Sequence, residues 1–379
     1  MGGSPVAPAA DNCVLRVVEL DPRCDPRWET FVAQHPEGSV FHHPAWIEAL
    51  ARGSVRRPVY LACADAEGRL LGVLPLLETP GFWFNLGPQF LGRRLSSLPR
   101  TPMAGPLTLS SQATGMLVHA AAERLRSTPG ITLELKAQSN ELDGVLEGMV
   151  GVPWKENYVL ELPNNPEDLR FGNAVTRHRI KWAVGKAEKL GVRVRTAETE
   201  EDLMQWYDLY LGTMRWHVSI PRPYRFIASL WELLRPRGLM RLLLAEHCQA
   251  GRRRLLSGYL LLMYGSTVHC YLNGRRAEDL GLHPNDVLQW RAIHDASAEG
   301  FRRYNFLETQ DQQRGLAEFK AKWGAAPVRS FRYYYPGPRR ISDPGPSSNS
   351  AIHRIASAAW RRMPLGATAS ISAWIHERL

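Results

Sequence analysis

The period of apolar and polar positions changes repeatedly along the chain, and each change marks an element. Residues 13–20 read as a strand, and 59–64 and 70–77 as two more, joined by Ala66-Glu-Gly as a hairpin. Asp25 followed by Pro26 is an N-cap with proline at the first helical position, so 26–34 reads as a helix, and Pro44 starts a second. After a Gly/Pro/aromatic stretch at 80–106, Met116, Leu117, Ala120, Ala121 and Leu125 recur at helical spacing within 114–127. A strand at 131–136, a helix at 142–149 and a strand at 158–162 lead to Pro163-Asn-Asn-Pro166, which marks a joint.

The second half repeats this order. A basic helix at 173–190 precedes a strand at 192–196 and helices at 200–216 and 224–234. Strands at 239–247, 255–264 and 267–273, a helix at 286–299, a strand at 303–307, a helix at 316–322 and a strand at 329–335 complete it. The hairpin at 59–77 matches 239–264, the helix at 114–127 matches 286–299, and the strand at 131–136 matches 303–307. The expected architecture is α/β: two tandem domains of one topology, with mixed sheets flanked by helices. The expected divisions are a flexible 1–12, domains at 13–165 and 166–336, and a linker with a helical tail at 337–379.

Length and composition agree with two domains: 379 residues, 44% hydrophobic and 22% charged. The formal charge of +10 favours an anionic partner, whether a phosphate-bearing cofactor, RNA or a membrane surface. The five cysteines form no C-x-x-C pair, which argues against a disulfide framework or a zinc site. No metal is expected. The first residues hold no apolar signal core, and no run reaches the ~18 apolar residues of a membrane span, so a cytoplasmic location is expected. The tail predicts short amphipathic helices at 352–363 and 368–379, carrying Trp360, Trp374 and several arginines. They suit either a peripheral contact with the inner membrane face or a clasp packed on the domain, and their shortness favours the clasp.

Candidate chemistry concentrates after residue 274. The helix expected at 286–299 follows a loop, so its free N–H groups suit a phosphate, with Asn285 and Asp286 shaping its start and Arg275 and Arg276 neutralising the anion. Lys320 lies between Phe319 and Trp323, where partial desolvation suits an electrophile on a developing oxyanion. Glu308 at a strand end and His283 in the loop are the candidates for base or proton relay. Arg177 and Lys181 on the basic helix, with Trp323 and Tyr334, are the candidate substrate contacts. G-x-S-x-G, H-E-x-x-H, G-x-x-x-x-G-K-[ST] and G-x-G-x-x-G are absent, which excludes the commonest hydrolase, zinc-protease, P-loop and dinucleotide patterns.

Three stretches together carry a family resemblance: Leu282-His-Pro-Asn-Asp-Val-Leu-Gln-Trp-Arg-Ala-Ile, Tyr304-Asn-Phe, and Gly315-Leu-Ala-Glu-Phe-Lys-Ala-Lys-Trp-Gly-Ala. With Val40-Phe-His-His-Pro-Ala-Trp, Leu98-Pro-Arg-Thr-Pro-Met-Ala-Gly-Pro and Trp360-Arg-Arg-Met-Pro-Leu, the chain resembles the Fem-like (FemAB/FemX-type) acyltransferases, nearest to relatives associated with exopolysaccharide and exosortase clusters. That resemblance implies tandem GNAT-like domains and transfer of an acetyl, acyl or aminoacyl group to a small-molecule, glycan or peptide amine, with Lys320 assisting. The [RQ]-x-x-G-x-[GA] signature of acetyl-CoA binding is absent from 274–286, so the donor is open between acyl-CoA and aminoacyl-tRNA. The alternative is a non-catalytic GNAT-like scaffold of an envelope-polysaccharide system.

Overall fold

The computed structural model describes residues 14–52, 56–80, 93–126, 128, 130–249, 251–310, 312–337 and 351–376. Cys13, part of the 80–106 stretch and the linker at 338–350 lie outside them. The first half runs β1 (Arg16–Glu19), α1 (Pro26–Gln34), α2 (Pro44–Ala51), β2 (Arg57–Ala64), β3 (Leu70–Thr79), β4 (Arg94–Ser96), β5 (Leu107–Thr108), α3 (Ser111–Arg126), β6 (Thr132–Ala137) and β7 (Val150–Glu161). The second runs α4 (Ala174–Lys189), β8 (Val192–Thr196), α5 (Glu200–Trp216), α6 (Tyr224–Leu233), β9 (Met240–Gln249), β10 (Arg252–Tyr264) and β11 (Thr267–Arg275). It continues through α7 (Pro284–Ala298), β12 (Arg303–Thr309), α8 (Arg314–Lys322) and β13 (Ala326–Tyr335) to the tail helices α9 (Ala351–Arg362) and α10 (Leu365–His376).

The halves share one topology. In each, successive antiparallel strands (β1 to β4, and β8 to β11) end on a parallel neighbour, β6 or β12. The last strands are then exchanged. β7, from the first half, pairs with β12, whereas β13, from the second, pairs with β6. β7 and β13 also pair with each other, which fuses both halves into one continuous sheet. Gly151 lies against the Tyr333 ring, and an added Cβ would stand 2.6 Å from it, so this pairing requires glycine.

Burial follows the exchange. Tyr333, 1% exposed, fills the core of the first half beside Leu117, Val118 and Leu133. Its hydroxyl donates to Asp143 Oδ1 at 2.7 Å. On the other face, α2 meets α6 and β11 through Trp46, whose ring packs edge to face on Phe226 and Tyr271. A third core packs α4 and α7 on the second half's strands.

The helix expected at 142–149 is a series of turns, because Gly144 and Gly148 take φ of 73° and 79°, outside the right-handed helix. The strand expected at 158–162 is the end of the much longer β7. Leu190, which caps the end of α4, is 41% exposed. The tail packs as a clasp over both halves. Arg56 donates to His376 O, Arg100 Nη1 lies 3.1 Å from His376 Nδ1, and Arg215 Nη1 donates to Met363 O at 2.8 Å.

Two predictions follow from this packing. Tyr333→Ala should cost about 3–5 kcal/mol, because it empties a large site in the core of the opposite half. A urea midpoint close to wild type would show that the exchanged strand does not anchor that core. The second concerns buried imidazoles: burial pushes His42 down to about 4 and His269 down to about 3. Unfolded histidine binds its proton near pH 6.5. The unfolded chain therefore takes up protons that the folded one does not, and stability should fall as pH drops from about 6.5 through about 4. Thermal melting across that window checks it, and His269→Gln should flatten the slope.

Candidate active site at the parting of two strands

Parallel β11 and β12 pair only at Thr267–Arg303, Val268–Tyr304 and His269–Asn305, and then part. Past that point the register of β12 on β7 shifts, and Leu307 adopts φ 60°, a strained setting for a bulky residue. Asn305 Oδ1 holds the bulge by accepting from Leu307 N–H at 2.7 Å. The carbonyls of Leu307 and Glu308 both accept from Lys320 Nζ, at 2.8 and 3.2 Å. Lys320 is thus fixed by backbone groups where the strands separate. It is 5% exposed, with Nζ 5.7 Å from the centre of the Tyr158 ring. Burial lowers its ammonium to about 8, against the opposing pull of Cys270 and Glu308.

Its expected aromatic neighbours belong to another lysine. Lys322 lies over Phe319 and Trp323, at 4.5 and 5.4 Å. Trp323 is fully buried, edge-on to Phe171 at 5.1 Å. The expectation that Trp323 contacts substrate is therefore corrected: the F-K-x-x-W-G stretch uses this ring as core, because its apolar area is worth more buried than exposed.

At the start of α7, His283 takes φ 55° and packs on Trp182 of α4, with ring centres 5.4 Å apart. Its Nδ1 is 3.6 Å from Asp286 Oδ2, and Asp286 also pairs with Lys322 of α8. A carboxylate here already complements the helix dipole, so an incoming anion would meet it. Asn285 Oδ1 faces inward and accepts from Ser257 Oγ at 2.8 Å. Arg276 Nε donates to Leu255 O at 2.8 Å, and Arg275 lies beside His217. Of the residues expected to cradle a pyrophosphate, Asn285, Asp286 and Arg276 are thus engaged with protein groups.

Arg177 and Lys181, one helical turn apart on α4, do come together. With Arg170, Phe171 and Trp290 they line a cleft of about 350 Å³ that no carboxylate borders. A larger cleft of about 650 Å³ lies farther along α4 and α7, with Glu188 and Asp295 offsetting Arg193 and Arg291. Among the described residues, no group of three or more His, Cys, Asp or Glu side chains could hold a metal ion.

Glu308 belongs to a charged layer on the exchanged strands and is close enough to Lys320 to act on its charge. Its Oε2 lies 3.4 Å from Lys155 Nζ. Register places Lys136 opposite Arg332 and Glu134 opposite Tyr334, which puts Tyr334 in this layer. Glu134 accepts from Arg332 at 2.6 Å and lies 3.4 Å from Arg94. Burial would raise the Glu134 carboxyl, but Arg332, Arg94 and Lys136 outweigh it and hold it below its ordinary value. Lys136 Nζ donates to Ser97 O and Leu98 O at 2.7 and 2.5 Å, and burial together with Arg332 brings it down to about 7. Glu134, Lys136, Arg94 and Arg332 are not among the residues expected from the sequence. The alternation Leu133-Glu-Leu-Lys136, with Glu and Lys sharing one face of a buried strand, was the available signal.

Residues 174–321 match the family model described as an acetyltransferase (GNAT) domain. The chain has the GNAT fold. Its tandem halves superpose on a structure titled FemX with a TM-score of 0.64, at 16% identity, over 84% of this chain and 96% of that one. L-PGS from Bacillus licheniformis is similar with a TM-score of 0.55, at 11% identity, over 91% of this chain and 99% of that one. The C-terminal domain of a putative lysylphosphatidylglycerol synthetase from Agrobacterium fabrum gives 0.52, at 10% identity, over 88% and 94%. At these identities the likeness is one of GNAT fold. No curated protein matches the chain.

Glu134→Gln would leave Arg332, Arg94 and Lys136 around a neutral amide. Removing one partner from a buried ion group costs about 3–5 kcal/mol. Chemical unfolding should show a loss of that order, and an unchanged midpoint would mean that solvent already screens the layer.

Proposed function

We propose that the chain is an N-acyltransferase, in which Lys320 stabilises the oxyanion formed when an acceptor amine attacks the carbonyl of an activated donor. The observation that carries this reading is the placement of Lys320: a buried ammonium pinned to the bulge of β12 where β11 and β12 part. A cation held there by backbone carbonyls needs no reorganisation as negative charge develops. In this scheme the acceptor nitrogen bonds to the acyl carbon, and the bond from that carbon to the leaving sulfur or oxygen breaks. The nitrogen's proton passes to Glu308, whose side chain is 18% exposed and faces the charged layer. His283, tied to Asp286, is the second candidate for proton transfer. Positioning and electrostatics suffice for acyl transfer, and no protein nucleophile is required.

The donor is proposed to carry phosphates, as acyl-CoA and aminoacyl-tRNA both do. Support comes from the carboxylate-free cleft of Arg170, Arg177 and Lys181 and from the formal charge of +10. The acceptor is proposed to be an amine of a small molecule, glycan or peptide. Its placement in cell-envelope or exopolysaccharide metabolism rests on the sequence resemblance.

The scheme has a definite pH signature. The acceptor amine must be neutral, so the rate rises with pH. Lys320 must be protonated, so the rate falls as pH passes about 8. With acyl-CoAs and charged tRNAs as trial donors, Lys320→Met should lower kcat/KM by about 100-fold, and Lys320→Arg should move the alkaline limb upward. An unchanged alkaline limb in Lys320→Arg would remove Lys320 from the chemistry. Binding of no donor by the wild-type chain would favour a scaffold.

A further inference from the structure

The tail helix α10 packs on the protein with polar residues prominent on its buried side and large apolar ones on its outer side. Its buried residues are the polar Thr368, Ser372 and His376, spaced one turn apart, with Leu365 and Ala369 packed beside them on the core and His376 meeting Arg56 and Arg100. Its outer face presents Ala367, Ser370, Ile371 and Trp374, with Ile371 38% and Trp374 42% exposed. A helix lying on a protein ordinarily buries its apolar stripe and turns charge to water. α10, Leu-Gly-Ala-Thr-Ala-Ser-Ile-Ser-Ala-Trp-Ile-His, has no acidic or lysine or arginine side chain at all. In water, this arrangement leaves Ile371 and Trp374 partly wet while three polar residues are buried. Apolar area left in water is area that a further surface can cover.

The surroundings indicate which partner. Trp216, at the end of α5, is 60% exposed, and Arg361 lies against it, with Nε donating to Trp216 O at 3.2 Å. Arg361 and Arg362 are both exposed immediately before α10 begins. Across residues 351–379 the charged side chains are Arg354, Arg361, Arg362 and Arg378, with Glu377 the single acid. Exposed tryptophans beside arginines, flanking an uncharged helix face, match the interface of a bilayer, where aromatic rings sit at headgroup depth and guanidinium groups meet lipid phosphates. A second copy of this chain would instead bring arginine against arginine. No helix among the described residues is long and apolar enough to cross a membrane, so the contact is with the surface.

We propose that the outer face of α10, with Trp216 and the arginines that end α9, docks the folded protein on an anionic lipid bilayer. The clasp and the membrane contact are then one device. The polar side of α10 holds the two halves, and its apolar side enters the interface without the helix leaving the protein. This surface is separate from the Lys320 site and stands whether or not acyl transfer is the activity.

Sedimentation of the full chain with vesicles tests it, using phosphatidylcholine alone and phosphatidylcholine with phosphatidylglycerol. Binding is expected with the anionic vesicles, falling steeply as salt is raised. The double variant Ile371→Ser, Trp374→Ser should bind about tenfold more weakly. Arg361→Glu with Arg362→Glu should lose the preference for anionic lipid. Thermal melting of each variant close to wild type keeps loss of binding distinct from loss of fold. In a second readout, the total tryptophan emission should shift to the blue on binding, and Trp374→Phe should reduce that shift. Equal sedimentation of wild type and the Ile371/Trp374 variant would overturn the proposal. So would a wild-type dimer, seen by analytical ultracentrifugation, that becomes a monomer in that variant, since a second copy would then cover the face.

Discussion

The reciprocal exchange of β7 and β13 is the constraint on which the rest of the molecule depends. Each strand completes the half it does not come from, and the ladder between them joins the halves. Interfaces between domains of one chain are ordinarily modest and permit relative motion. Here the contact is a backbone ladder, with Tyr333 buried in the opposite core, so the halves cannot drift without breaking hydrogen bonds. The same ladder fixes what surrounds it. Lys136, Arg332 and Tyr334 lie on adjacent strands only because β13 has crossed over.

Charge in the middle of a sheet is costly, since desolvation competes with attraction. The layer around Glu134 meets that cost by multiplicity: one carboxylate serves Arg332 and Arg94, while Lys136 uses two backbone carbonyls. Lys320 repeats the device in the second half, again using two carbonyls, those of a strained bulge. Leu98 and Leu307, which supply one carbonyl to each lysine, both have positive φ, 47° and 60°. The pairing of a buried lysine with a left-handed leucine is thus a second symmetry of the two halves, below the level of topology.

Much of the tandem arrangement was legible because it is written in local periods. The hairpins β2–β3 and β9–β10, and helices α3 and α7, lie close to where their apolar spacing placed them. The exchange was not legible, because β7 and β13 have the same alternation whichever sheet receives them, and pairing partner is a tertiary property. Lys320 and the Arg177–Lys181 pair stand out in the sequence by charge beside aromatics or along a helix, although the rings flanking Lys320 in sequence pack on Lys322 instead. Trp323 was misplaced because a large ring near a lysine reads alike in a core and at a site. Its neighbours Phe171 and Phe319, one of them far off in sequence, decide the matter. Lys136 and Glu134 needed their strand to be known as central before their charge became conspicuous.

The crossing of β13 also bears on synthesis. The first half leaves the ribosome with β6 unpaired on the side that β13 will occupy, and with β7 waiting for β12. Unpaired strand edges are where nascent chains associate wrongly. Neither half can be sealed until the strand ending at Tyr335 has emerged, so most of the chain must be made before the sheet can close. Maturation is therefore a single late event, timed by the last strand of the sheet, with the clasp of α9 and α10 following it.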